Sequence, residues 1–143
     1  MLTDPHQLLI DTLERLEGCL RARDLDGAVA CFVPDGAIFG EDLLEQAHGT
    51  RELTLLLAEV LEHPFAVGWD VHDTWVRVVG RTAWFVASAS LVRHDGDREV
   101  GREPFTMSGV LRGGAGFFRF ELFNGTQPLL RPGLRLVDAV AVA

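Results

Sequence analysis

The apolar spacing of this chain changes once, at Pro64, and that change limits the fold more than any other feature. Before it, Leu9, Leu13, Leu16 and Leu20 recur at the spacing of one helical stripe. Leu25, Ala28, Val29 and Phe32 repeat the pattern briefly, and Leu53, Leu56, Leu57, Val60 and Leu61 repeat it again. After Pro64 the period is two, the signature of strands. Strand-like runs cover about 66–79, 82–93, 99–112 and 116–124, joined by glycine-bearing turns at 80–81, 95–97 and 113–116. Helices first and an antiparallel meander afterwards predict an α+β domain, with helices packed on one face of a curved sheet.

The helix ends carry their own signals. Asp4 followed by Pro5 reads as a cap with proline in the first turn, and Asp24 reads as the cap of the short second helix. Thr50 is the expected cap of the third, which ends at His63-Pro64. Pro34-Asp35-Gly36 should break the chain, with residues 37–39 as a short strand and "GEDLLEQAHG" as a loop. The tail beyond Pro128 falls outside this plan. Pro128, Pro132 and Gly133 argue against continuing the last strand, so residues 128–143 either fray or pair with a partner's edge.

Charge narrows the function. Thirteen Lys and Arg against 21 Asp and Glu give a net charge of −8, which disfavours phosphate backbones and anionic lipid. Neither nucleic acid nor membrane is expected as a partner. The start of the chain has no basic n-region and no run of transmembrane length, so a cytoplasmic location is expected. The five histidines show no metal-ligand spacing, and the glycines at 113–116 lack the lysine of a phosphate loop, so neither metal nor cofactor is expected. Cys19 and Cys31 sit among apolar residues in helical patterns and read as buried thiols, with a disulfide or a catalytic cysteine as the alternatives. His72 and Asp73 stand together on a strand with no nucleophile beside them in sequence.

"DLDGAVACFVPDGAIFG", the "HGTREL" helix start, "TWVRVVGRTAWFVASASL" and "GFFRFELFNGTQP" together resemble the NTF2-like superfamily, nearest its SnoaL-like domains. The resemblance covers about residues 5–127, and residues 1–127 are expected to form one domain. It implies a cone-shaped curved antiparallel sheet plugged by three N-terminal helices, and a homodimer formed through the outer sheet faces. It does not imply one activity, because the fold hosts isomerases, cyclases, hydrolases and association domains. Ketosteroid isomerases of this superfamily use a carboxylate base with a tyrosine and a carboxylic acid. Their positions fall here on Gly40, Leu16 and near Ser108, and the chain contains no tyrosine, so that mechanism is not expected.

Two carboxylates stand next to the vacant base position. Glu41 and Asp42 follow Gly40 directly, and either is a candidate base for an isomerase, cyclase or hydrolase of a polyketide- or steroid-like substrate. The alternative is an acidic surface loop. Aligning the strand alternation with the superfamily's concave face puts Trp84, Val86, Ser88 and Ser90 on the pocket side, with Ser108 on the third long strand. On the last strand it puts Phe120, Leu122 and Asn124 there. Such a lining suits a small hydrophobic molecule with one or two oxygens. A plain core would show the same pattern, and a filled cone would make the chain a pocketless association module.

Overall fold

The computed structural model describes residues 4–40, 45–114 and 116–128. Three helices precede most of the sheet: α1 (Pro5–Arg21), α2 (Leu25–Ala30) and α3 (Gly49–Glu62). The strands are β1 (Phe32–Phe39), β2 (Gln46–His48), β3 (Ala66–Val79), β4 (Thr82–Asp95), β5 (Arg98–Gly114) and β6 (Phe117–Thr126). They form one six-stranded sheet in the order β2-β1-β6-β5-β4-β3. The domain is therefore α+β, as the change of period predicts. Among the described residues no helix is long and apolar enough to cross a membrane.

Each helix forms for a local reason. The Asp4 carboxylate accepts from the His6 amide and Pro5 needs no partner for its nitrogen, so α1 starts where predicted. Its stripe is complete: Leu9, Leu13, Leu16 and Leu20 are each no more than 3% exposed, and truncating any of them should cost roughly 2–5 kcal/mol. Asp24 caps α2 by accepting from the Gly27 amide at 2.9 Å. The expected cap of α3 is not used. The Thr50 hydroxyl donates instead to the Pro34 carbonyl of β1 at 3.1 Å, while Glu52 reaches back to the His48 amide at 2.9 Å. A tertiary acceptor thus outcompetes the local one.

β1 also differs from the sequence reading. Pro34-Asp35-Gly36 does not end the element. It is an irregularity inside one strand, and β1 runs parallel to β6, with Phe32 opposite Phe120 and Phe39 opposite Asn124. A parallel pair inside an otherwise antiparallel sheet has no short-range signal, because its partners lie far apart in sequence. Part of the expected loop, Gln46–His48, pairs with β1 as the edge strand β2. The three long strands β3, β4 and β5 match their predicted runs within a few residues and pair as a meander. Gly80 and Gly96, at φ +59° and +62°, make the two tight turns.

The inner face of β4 is built mostly from small residues. Ala83, Ala87 and Ala89 of β4 are buried, alternating around Phe85. Met107 and Leu111 of β5 are buried beside them. Phe32, Phe85 and Phe123 surround Phe120, their ring centroids 5.4, 6.1 and 5.4 Å from it. Arg15 ties α1 to the start of β6, donating to the Phe118 carbonyl at 3.0 Å while its guanidinium lies 4.6 Å from the Phe117 ring centroid.

Candidate functional site

Away from this packed centre the helices stand off the sheet and leave a cavity of about 490 Å³. The α1 stripe supplies one wall through Leu16 and Leu20, and α3 supplies a second through Leu56, Leu57 and Val60. The sheet supplies the rest: Phe32, Ile38 and Phe39 of β1, Val67 and Trp69 of β3, Leu91 of β4, Phe105 of β5, and Phe123 of β6. Gly125 belongs to this wall for a steric reason. A β-carbon there would lie 2.3 Å from Phe105 Cζ, so the ring folds over the glycine on the neighbouring strand.

Among the described residues, the charged or titratable side chains of the lining are Glu45, Glu59 and His63, which border the cavity and are exposed, and the other lining side chains are apolar. Gly40 lies beside Glu45, whose backbone carbonyl accepts from the Gly40 amide at 2.9 Å. The wall holds one buried donor without an acceptor, the indole Nε1 of Trp69, whose ring lies 5.8 Å from that of Phe123. An unmatched donor of this kind costs stability unless something supplies the missing oxygen.

The predicted lining residues are not the observed ones. Trp84, Val86 and Ser88 are exposed on the opposite side of β4, because the side facing the helices carries the alanines. Ser90 stands on that outer side too, 2.8 Å from His72 Nε2, so the structure gives His72 a serine neighbour that sequence order conceals. Ser108 and Asn124 face each other across β5 and β6, the Asn124 amide donating to the Ser108 hydroxyl at 3.4 Å. Leu122 pairs with Val110 in the next row of the same face.

Only Phe120 of the predicted set points inward, and it is core, fully buried behind the cavity. The cause is a bulge. Val110 pairs with Leu122 but Leu111 pairs with Phe120, so Glu121 is an extra residue. Beyond it the parity of β6 reverses, turning Phe123 and Gly125 inward and Leu122 and Asn124 outward. On β4 the alignment with the superfamily's concave face selects the opposite set of alternating residues, whereas the buried face is the one that carries Ala83, Phe85, Ala87 and Ala89. Glu41 and Asp42 lie outside the described residues, as do residues 129–143 of the tail.

No protein-family model matches the sequence, and no curated protein matches it. Solved structures do. An NTF2-like protein of unknown function from Pseudomonas putida superposes with a TM-score of 0.68 at 16% identity, over 89% of this chain and 89% of that one. The chain has the NTF2-like fold. A ketosteroid isomerase-like protein from Erwinia carotovora atroseptica gives 0.66 at 14% identity, over 90% and 100% of the two chains. An NTF2-like protein with a cystatin-like fold from Novosphingobium aromaticivorans gives 0.66 at 13%, over 95% and 88%. At these identities the likeness is of fold, so the NTF2-like cone accounts for the cavity's place between helices and sheet but not for its contents.

Proposed function

We propose that this NTF2-like protein binds a small hydrophobic molecule in the cavity between α1, α3 and the sheet. The observation that carries the reading is a cavity of about 490 Å³ whose described lining is apolar apart from Glu45, Glu59 and His63 at its border. Ligand sites commonly span about 300–1,000 Å³ and are lined mainly by hydrophobic side chains. An unfilled cone speaks against a pocketless association module. Native mass spectrometry of the purified protein tests the proposal: releasable mass of a small apolar compound supports it. Failure to take up any of a panel of sterols, polyketides and aromatic alcohols would sink it.

A second reading makes the same cavity catalytic, with Glu41 or Asp42 as the base of an isomerase, cyclase or hydrolase. Its support is positional. Gly40 and Glu45, the described residues that bracket this segment in sequence, both line the cavity. A carboxyl against a wall such as Phe39 would be held above its usual range and serve as a base near neutral pH. If turnover of a polyketide- or steroid-like compound is found, indifference to both Glu41→Gln and Asp42→Asn eliminates this base.

The outer sheet face supports a homodimer. Trp75, Trp84 and Val86 are 56%, 41% and 46% exposed and sit in adjacent cross-strand rows with Val110 and Leu122. A contiguous apolar patch of this kind marks an association surface. Light scattering should give twice the chain mass, and Trp75→Arg with Trp84→Arg should return it to one.

A further inference from the structure

Cys19 of α1 and Cys31, the residue that ends α2, come together over Gly27. The Cys31 thiol donates to the Gly27 carbonyl at 3.4 Å. An ideal β-carbon position on Gly27 lies 2.9 Å from Cys19 Sγ, so the Cys19 sulfur rests against the same glycine. Both backbones are anchored. The Cys19 carbonyl accepts from the Asp24 amide at 2.9 Å, and the Cys31 carbonyl accepts from the Phe120 amide of β6 at 2.8 Å. The thiols also differ in access: Cys31 is 2% exposed, while Cys19 is partly exposed.

We propose that Cys19 and Cys31 form an oxidant-reactive dithiol site that closes to an intramolecular disulfide when a hydroperoxide reaches Cys19. The Cys19 thiolate attacks the terminal peroxide oxygen, the O–O bond breaks, and the sulfur becomes a sulfenic acid while the leaving oxygen departs as water or alcohol. Cys31 sulfur then attacks Cys19 sulfur. The S–O bond breaks, and the departing hydroxide takes the Cys31 proton and leaves as water. With hydrogen peroxide the balance is two thiols and one peroxide giving one disulfide and two waters. The order of events follows from burial. Burial first, and then the neighbouring Cys19, push the Cys31 thiol up to about 12, so Cys31 stays protonated and acts second.

The bond would bear on the cavity. Leu20 follows Cys19 and Phe32 follows Cys31, and both line it. A disulfide would fix these two walls to each other, joining α1 to the start of β1. This consequence does not depend on what the cavity binds.

The test uses the full reduced chain and hydrogen peroxide, followed by alkylation and tryptic mapping without reduction. Cleavage at Arg15, Arg21, Arg23 and Arg51 leaves Cys19 in the fragment 16–21 and Cys31 in the fragment 24–51. The expected result is these fragments joined, with a loss of two hydrogens that a dithiol reductant reverses. In Cys31→Ser the reaction should stop at a sulfenic acid on Cys19 that dimedone traps, and in Cys19→Ser oxidation of Cys31 should be roughly tenfold slower or more. Three results overturn the proposal: oxygen retained on Cys19 of the unaltered chain without the crosslink, a disulfide between two chains instead, or a folded chain that does not react.

Discussion

The carbonyl oxygen of Leu122 occupies the space that a β-carbon on Gly109 would need, 2.0 Å from its ideal position. The contact lies beside the Glu121 bulge, where β5 and β6 press together and β6 reverses its parity. Phe85 Cε1 closes the same space from the core, 3.0 Å away. Backbone cannot yield as a side-chain end can. Gly109→Ala should therefore destabilise the fold by about 2–3 kcal/mol or more, read as a lower midpoint in urea. It should also disturb Phe123, and with it the cavity wall.

The two faces of the sheet make opposite predictions for ligand binding. Leu56→Trp places a large ring at the cavity wall and should weaken uptake of a hydrophobic probe by roughly tenfold or more while the chain stays folded. Asn124→Leu changes only the outer face, beside Ser108, and should leave that affinity within about twofold. A fluorescence titration of both variants decides. Loss of binding in Asn124→Leu with none in Leu56→Trp would move the site to the outer face.

Arg23 holds the end of α3 to the turn between α1 and α2. Its guanidinium donates to the carbonyls of Leu61, His63 and Pro64 at 3.0, 2.9 and 3.2 Å, adding to the backbone cap that the His63 amide makes on the Val60 carbonyl. Its backbone is in the left-handed region, at φ 57°. Arg23→Ala loses the bonds and keeps the strain, for a cost of about 2 kcal/mol. Arg23→Gly loses the same bonds but relieves the strain, and should be the milder by about 1 kcal/mol in chemical denaturation.

Glu17 is a carboxylate half-buried against the sheet side of α1. Burial raises its carboxyl above the ordinary range, opposed by His94, whose Nε2 lies 3.9 Å away, and by Arg21, with Glu14 adding to the rise. The folded state therefore holds this proton more tightly than the unfolded one. Its contribution is fully present below the ordinary carboxylate value and is lost as pH rises through the raised one. Asp70 and Glu99, hydrogen-bonded to Arg102, are lowered and act in the opposite sense. Comparing Glu17→Gln with the unaltered chain isolates Glu17: the variant's relative stability should increase from acid to neutral pH. A difference that is flat across thermal melts at several pH values would exclude the effect.

Much of this fold is local and so is legible in the sequence. The α1 stripe, the Asp4 and Asp24 caps, the change of period at Pro64 and the glycine turns each depend on residues a few positions apart. The Thr50 cap, also a local signal, fails because Pro34, distant in sequence, offers its hydroxyl an acceptor. The cavity is not local at all. Strand alternation divides residues into two sets but does not say which set faces the helices, and one extra residue at Glu121 exchanges the sets for the remainder of β6.

By itself the sequence determined the α+β class, the helices and the long strands, because periodicity and turn chemistry act over a few residues. Only the tertiary structure decided that Trp69, Phe105 and Phe123 wall the cavity while Trp84 and Asn124 face away from it. On β4 the buried face carries Ala83, Phe85, Ala87 and Ala89, so Trp84 and Val86 take the outer face. That choice of face is made between elements far apart in the chain, where no sequence period records it.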